Sequence, residues 1–146
     1  MTTDRRDEAM RTLEHEIGML LRRVRRGIGE RAVALHPELN PTSYSLLLTL
    51  VDFGPRRAAD LAELFSLDKG AVSRVVKQLL DLGLVERAPD PDDGRASILT
   101  ASAAATARFA DAAVERRRDF GRRLAGWEPD EIEALAHGLA RLNETV

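Results

Sequence analysis

The sequence predicts a mainly helical fold in which one two-stranded β-hairpin separates the central helices from the last ones. Three observations support this prediction. Apolar residues recur at intervals of three and four over most of the chain. A Pro/Asp/Gly-rich segment at residues 88–94 interrupts that pattern between two short stretches typical of strands. The 146 residues, 44% hydrophobic and 32% charged, are enough to build a folded core.

The first two predicted helices occupy the first third of the chain. An amphipathic helix is predicted over residues 7–35, where seven apolar residues fall on one stripe: Met10, Leu13, Ile17, Leu20, Leu21, Val24 and Ile28. His36-Pro37 ends it. Pro41-Thr42-Ser43 then introduces a second helix that continues to about Phe53, because Pro is tolerated in the first helical turn.

Two shorter helices joined by a turn follow. The first has about two turns, from Ala58 to Phe65, and Ser66-Leu67 forms the turn. The second spans residues 68–81, with Asp68 as the expected N-cap and Gly83 in the left-handed conformation after its end. Its apolar residues share one buried stripe: Val72, Val75, Val76, Leu79 and Leu80. This arrangement predicts a helix-turn-helix with residues 68–81 as the recognition helix.

The other side of the 68–81 helix has a composition that suits DNA. Its residues are short or cationic, with no carboxylate before Asp81: Lys69, Gly70, Ser73, Arg74, Lys77 and Gln78. Cationic and small polar side chains on a helix can reach phosphates and base edges in the major groove. We therefore expect these six residues to contact DNA.

The predicted hairpin completes a winged helix-turn-helix. Leu84 and Val85 begin the first strand, and residues 95–100 contain the second. Arg95 lies at the hairpin tip, where a cation can enter the minor groove because the potential there is negative. We expect Arg95 to make that contact.

The net charge of −2 is unusual for a DNA-binding protein. Between Gly54 and Thr100 there are seven Lys or Arg residues and eight Asp or Glu residues. Affinity depends on the phosphates that are neutralised locally, so segregated charges can still bind DNA. We expect Arg56 and Arg57 to join the cations of the recognition helix and the wing on one face, with Arg57 as a DNA contact.

The end of the chain is predicted to be helical as well. A long helix is expected from Ser102 to about Gly126, and Trp127-Glu128-Pro129 separates it from a last helix that either Glu128 or the preceding turn caps. The apolar faces of the terminal helices exceed what one winged domain covers, which favours a homodimer. Packing of these helices on each other within one chain is the alternative.

The resulting organisation has three parts. We predict an N-terminal dimerisation helix at residues 1–36, a DNA-binding domain at residues 37–100 and C-terminal dimerisation helices at residues 101–146. A two-fold dimer would place two recognition helices about 34 Å apart on a near-palindromic operator. The arginines at 116–118 and 122–123 either form a solvated helix face or contact DNA flanks or the partner subunit.

Several of these segments together resemble the MarR family of bacterial transcriptional regulators: Asp60-Leu61-Ala62, residues 69–74, residues 83–87, residues 92–95 and Leu99-Thr100. The most specific element is the Asp-x-Arg of the wing. The resemblance implies that Arg95 enters the minor groove and that Asp93 helps to hold it. It also implies a repressor. Gly70 departs from the family pattern, in which a small hydroxyl residue is usual, and Ala103 stands where Gly is common.

The family resemblance also implies regulation by a small molecule. Effectors in the family are often phenolic or other aromatic acids that bind between the dimer helices and the winged domain. Tyr44, His36 and His15 are candidates for lining that pocket, or they are ordinary structural residues. Some relatives respond to no known effector, so a protein without effector regulation is the alternative. The sequence identifies no ligand-binding residues.

Other function classes find little support. No nucleophile motif, phosphate-binding glycine loop or metal-ligand spacing accompanies the three histidines, so we expect no enzyme, cofactor or metal. Zero cysteines exclude disulfides and cysteine-based peroxide sensing. We expect a cytoplasmic protein, because the chain has no apolar run of membrane-spanning length and no signal-peptide pattern. The alternative function is a winged-helix adaptor that binds protein without binding DNA.

Overall fold

A computed structural model describes residues 2–145, which form six helices and three short strands. In chain order these are α1 (Thr2–Leu35), α2 (Pro41–Phe53), β1 (Arg56–Arg57), α3 (Ala58–Leu64), α4 (Lys69–Asp81), β2 (Val85–Pro89), β3 (Ser97–Ala101), α5 (Ala103–Arg123) and α6 (Pro129–Asn143). The chain divides into two compact units, one reaching Phe109 and the other beginning at Ala110. The mainly helical winged fold is confirmed.

The core of the first unit is built around α2. Tyr44, Leu46 and Leu47 of this helix are fully buried together with apolar residues of α3, α4 and β3. The Tyr44 ring packs against Phe109 of α5 with 5.2 Å between ring centroids, a distance typical of favourable aromatic pairs. Because α2 lies at the centre of this core, the elements that carry the wing and α4 are held against it.

The helix-turn-helix follows the predicted boundaries. The carboxylate of Asp68 accepts a hydrogen bond from the backbone N–H of Ala71 at 2.7 Å, which confirms Asp68 as the N-cap of α4. Gly83 has φ of 67°, the left-handed conformation expected after the helix end. In the turn between α3 and α4, Ser66 adopts φ of 51°, which non-glycine residues rarely do.

The sheet contains one strand more than predicted. Strands β2 and β3 form the expected antiparallel hairpin, with Arg87 opposite Leu99. The two-residue strand β1 pairs with the other edge of β3, giving the strand order β1-β3-β2. The prediction of a two-stranded sheet was therefore incomplete, because two consecutive arginines show no alternation that would indicate a strand.

The start of α2 is fixed by a cap that the sequence analysis missed. Asn40 adopts an extended conformation, and its side-chain oxygen accepts a hydrogen bond from the N–H of Ser43 at 2.8 Å. Asn is among the preferred N-cap residues, and Pro41 at the first helical position completes the helix start. This cap orients Ser43, which is fully buried.

The second unit consists of most of α5 and the whole of α6. The carboxylate of Glu131 accepts a hydrogen bond from the N–H of Glu128 at 2.9 Å, consistent with the predicted role of Glu128 at the helix start. Arg118 pairs with Glu115 and Arg122 pairs with Asp119 along α5. No residue of α6 is buried, and Ile132, Leu135 and Leu139 are exposed in the single chain.

None of the helices within residues 2–145 combines the length and the apolar character needed to cross a bilayer.

Replacing Gly83 by Ala tests the helix end. We expect Gly83→Ala to lower the free energy of unfolding by about 1 kcal/mol, because the left-handed conformation places Cβ close to backbone atoms. Gly94→Ala is the matched control, since a Cβ on Gly94 would meet no atom within 4 Å and its φ is ordinary. Urea unfolding measures both changes. Equal stabilities of the two variants would contradict the strain at Gly83.

Candidate nucleic-acid interface

The outer side of α4 presents most of the predicted contact residues together. Lys69, Gly70, Ser73, Arg74 and Lys77 are all exposed, whereas Val72, Val76 and Leu79 on the opposite side are buried. The helical repeat separates the two sets, because residues three and four apart lie on the same face. We call the five exposed residues the α4 row. The row offers two lysines, one arginine, one hydroxyl and no carboxylate.

Arg74 lies back along α4 toward the start of the helix. A Cβ built on Gly70 would lie 3.4 Å from Nη1 of Arg74 and 3.3 Å from Oδ1 of Asp68. The guanidinium therefore lies over Gly70, close to the cap of the helix. The absence of a side chain at residue 70 leaves this space to Arg74, so the departure from the family pattern has a structural consequence.

Lys77 pairs with Asp81 at 2.6 Å, one helical turn away. Their side chains are 76% and 62% exposed, so water screens the attraction. Exposed pairs of this spacing contribute only about 0.3 to 0.5 kcal/mol. A phosphate can therefore replace Asp81 as the partner of Lys77 at a small cost in free energy, and Lys77 remains part of the α4 row.

Gln78 does not share the exposure of the α4 row. Its Nε2 donates a hydrogen bond to the carbonyl oxygen of Glu38 at 2.7 Å. Its Oε1 accepts a hydrogen bond from the hydroxyl of Ser43, also at 2.7 Å. Both ends of the Gln78 carboxamide are thus engaged within the protein, although the sequence analysis grouped it with the DNA contacts.

The wing presents Arg95 on an exposed tip. The carboxylate of Asp93 accepts a hydrogen bond from the N–H of Arg95 at 3.0 Å, and the carbonyl of Asp93 accepts one from Ala96. Among the described residues, Arg95 has no ion-pair partner. Asp93 therefore holds the backbone of the tip and leaves the guanidinium of Arg95 free in solvent.

Arg57 lies in an ion pair that ties β1 to the wing. Its guanidinium donates hydrogen bonds to the Asp90 carboxylate through Nε and Nη2. The Asp90 side chain is only 2% exposed, against 42% for Arg57. Arg57 was predicted as a DNA contact, and the structure gives it this partner 33 residues away. The sequence analysis did not identify Asp90, although Asp before Pro in a loop is a typical signal for a side chain that bonds to nearby backbone.

Asp90 is held in its charged form. Its Oδ1 accepts a hydrogen bond from the N–H of Asp92 at 2.9 Å. This bond, more than the guanidinium of Arg57, lowers the pKa of the Asp90 carboxyl below its ordinary value, although burial acts in the opposite direction. The hydrogen bond to Asp90 correspondingly raises the pKa of Arg57.

The candidates for an effector pocket are dispersed. Tyr44 is 2% exposed and belongs to the core, whereas His15 lies on the exposed face of α1. His36 follows the end of α1, and its Nδ1 accepts a hydrogen bond from the N–H of Glu38 at 3.2 Å. Within the described residues, no group of three or more His, Asp or Glu side chains is close enough to hold a metal ion.

Comparisons with known proteins agree on one family. The family model described as MarR family matches residues 38–96. An uncharacterized HTH-type transcriptional regulator of Bacillus subtilis is 34% identical over 106 residues, which cover 73% of this chain and 74% of the relative. The crystal structure of a probable transcriptional regulator from Pseudomonas aeruginosa is 30% identical, with a TM-score of 0.59, and the match covers 89% of this chain and 98% of that one. Apo MarR from Escherichia coli has the same fold, with a TM-score of 0.70 at 21% identity over 89% of this chain and 95% of that one.

The ion pair between Arg57 and Asp90 predicts a pH dependence of stability. Because the pKa of Asp90 is lower in the folded chain than in the unfolded chain, its contribution is present above about pH 4 and is lost as the pH falls further. We expect Asp90→Asn to lower the melting temperature by several degrees at pH 7 and to flatten the decline of the melting temperature below about pH 4.

Thermal unfolding followed by circular dichroism measures this effect, with Asp92→Asn as the control from the same loop. Asp92 contributes its backbone N–H to the Asp90 carboxylate, so its own carboxylate can be changed without removing that bond. A decline as steep in Asp90→Asn as in the parent protein would contradict a lowered pKa at Asp90.

Proposed function

Since the chain belongs to the MarR family of transcriptional regulators, whose fold and function are those of regulators rather than enzymes, we propose that it is a sequence-specific DNA-binding repressor. The observation that carries this proposal is the outward α4 row, together with an exposed Arg95 on the wing that has no ion-pair partner among the described residues. We propose that the protein has no catalytic activity and acts in the cytoplasm, where it meets its operator.

The α4 row supports binding in the major groove. Lys69 and Arg74 lie near the N-terminal end of α4, where unpaired backbone N–H groups add to the attraction for phosphate. Arg74 has the geometry to donate two hydrogen bonds to one guanine, and Ser73 can donate to or accept from a base edge or phosphate. We propose that Arg74 reads a base and that Lys69 and Lys77 contact phosphates.

The wing supports a second contact in the minor groove. An exposed arginine at the tip of a narrow hairpin suits that groove, whose negative potential attracts guanidinium groups. In this proposal Asp93 positions the tip through the N–H of Arg95 and does not itself approach the phosphates. Arg57 contributes indirectly, because its ion pair with Asp90 holds the hairpin.

Exposed apolar residues support a homodimer. Within the first unit, α1 leaves Met10, Leu13, Leu20, Leu21 and Val24 between 43% and 53% exposed. Within the second unit, Ile132, Leu135 and Leu139 lie on one side of α6 at helical spacing. Burial of such stripes against a second copy is favourable, and isologous two-fold dimers are the commonest assembly. A near-palindromic operator follows from that symmetry.

Repression and effector release are the parts of the proposal that rest most on the family. A dimer that covers two half-sites occupies enough promoter DNA to exclude other proteins. A small aromatic or phenolic molecule that changed the separation of the recognition helices would then release the DNA, because half-site spacing is a geometric requirement. Addition of a panel of aromatic acids to the complex of protein and operator tests whether an effector releases the DNA.

The alternative of a protein-binding adaptor has one observation in its favour. Phe53 and Leu64 are 68% and 64% exposed, and together with Leu61 they line an open depression on the first unit. Exposed apolar residues of this size often mark protein contacts. Absence of any duplex binding at low salt would favour this alternative over the DNA-binding proposal.

Two substitutions test the DNA contacts separately. After the operator has been found by selection from random duplexes, we expect Arg74→Ala to weaken binding by about 1 to 3 kcal/mol and to relax preference at one base pair. Arg95→Ala is expected to weaken binding to all sequences and to reduce the slope of affinity against salt by about one.

Fluorescence anisotropy over a range of salt concentrations measures both effects. Arg141→Ala, which removes the same charge from the last turn of α6, is the control and should leave affinity unchanged. Unaltered binding of Arg74→Ala would remove Arg74 from the interface, and unaltered salt dependence of Arg95→Ala would refute the wing contact.

A charge on α6 tests the dimer. Light scattering should give the parent protein twice the 16.1 kDa mass of the chain. We expect Leu135→Asp to shift the mass toward that of one chain, because a buried carboxylate without a partner is strongly unfavourable. His137→Asp places the same charge on another side of the helix and should remain dimeric. A parent protein with the mass of one chain would contradict the dimer.

A further inference from the structure

Gln78 connects the recognition helix to two distant parts of the first unit. Its carboxamide is bonded to Ser43, 35 residues away, and to the backbone of Glu38, 40 residues away. We propose that Gln78 is a positioning residue that fixes how α4 is rotated on α2, and so determines which base pairs the α4 row meets. This inference rests on the proposed DNA-binding function and assigns Gln78 no contact of its own with DNA.

The polarity of the two bonds defines the orientation of the carboxamide. The carbonyl oxygen of Glu38 can only accept, so the NH₂ group of Gln78 must face it. The hydroxyl of Ser43 then donates to the remaining oxygen of Gln78. Each partner satisfies one end of the side chain, and no rotation of the carboxamide about its last bond would satisfy both partners equally.

Apolar packing alone specifies the rotation of α4 less sharply. Val72, Val76 and Leu79 bury one side of α4 through contacts that have no preferred direction. Hydrogen bonds are directional and weaken steeply when they are bent. The pair of bonds at Gln78 therefore adds the angular restraint that the apolar stripe does not supply.

The two partners of Gln78 lie in the first turn of α2 and in the connection that precedes it. Ser43 is fully buried in the first turn of α2, where the Asn40 side chain holds its N–H. Glu38 lies in the connection between α1 and α2, and its N–H donates to His36. A displacement of this connection would therefore reach α4 directly through Gln78, which gives a route by which events at the end of α1 could alter DNA recognition.

Ser43 supplies the decisive test because it cannot touch DNA. Its exposed fraction is 0%. A DNA-binding defect in Ser43→Ala must therefore act through another residue. Gln78→Met keeps a side chain of similar length while removing both hydrogen bonds and adding no charge. Ser45→Ala is the matched control, since it makes the same change two residues further along α2.

The experiment measures the affinity of the full chain for the selected operator and for a series of operators that each carry one changed base pair. All measurements are made at a temperature at which circular dichroism shows that every protein variant is folded. We expect Ser43→Ala and Gln78→Met each to reduce operator affinity on the order of tenfold. We also expect the differences in affinity between the operator and its single base-pair variants to become smaller at several positions. The double variant should be no worse than Gln78→Met, because both changes break the same link.

Four results would overturn the inference. Loss of preference at one base pair in Gln78→Met, with Ser43→Ala unchanged, would make Gln78 a direct contact. Lower melting temperatures with unchanged affinities and preferences in both variants would leave only a stabilising role. A parent protein that binds no duplex would refute the proposed function and this inference together, whereas a binding parent with unaffected variants refutes the inference alone.

Discussion

The structure depends on one constraint, which is that α4 must bury one side and keep the other side free of carboxylates from Lys69 to Lys77. Val72, Val76 and Leu79 are at most 4% exposed, and they anchor the helix on the core built around α2. Their spacing leaves residues 69, 70, 73, 74 and 77 in solvent. If the apolar pattern of α4 were shifted by one residue, the cationic side chains would turn toward the core and their neighbours would become exposed.

Three carboxylates of the winged region accept hydrogen bonds from neighbouring groups. Asp68 caps α4, Asp93 accepts from the N–H of Arg95, and Asp90 accepts from Asp92 and Arg57. Asp90 is buried, whereas Asp68 and Asp93 are exposed but accept hydrogen bonds from nearby backbone N–H groups. Arg57 pairs with Asp90 and Lys77 pairs with Asp81, whereas the other cations of this region, which include Lys69, Arg74 and Arg95, have no ion pair among the described residues.

Features determined by neighbouring residues could be predicted from the sequence. The Asp68 cap, the left-handed Gly83 and the hairpin after Val85 depend on short spacings, and the structure contains all three. Features determined by distant residues could not be predicted. The pairing of β1 with β3 and the bonds from Arg57 to Asp90 and from Gln78 to Ser43 join residues more than 30 positions apart. Gln78 lies at the border of the exposed side of α4, where helical spacing alone does not decide between solvent and the protein interior.

The buried polar residues show how these distant contacts are distributed. Among the described residues, Ser43, Asp90 and Ser102 are the buried polar or charged ones. Each joins elements around the candidate interface: Ser43 reaches α4, Asp90 holds the wing to β1, and Ser102 caps α5 while its N–H donates to Leu84 beside the hairpin.

A buried polar group is tolerated only when it is hydrogen-bonded, so each of the three demands a particular arrangement of its neighbours. Apolar contacts could hold these elements together in several slightly different orientations, but they could not distinguish among them. In the proposed function, the exposed side chains of α4 and the wing would contact DNA, and the buried polar groups would define the orientation in which those side chains are presented. Substitutions that alter specificity are therefore expected beneath the surface as well as on it.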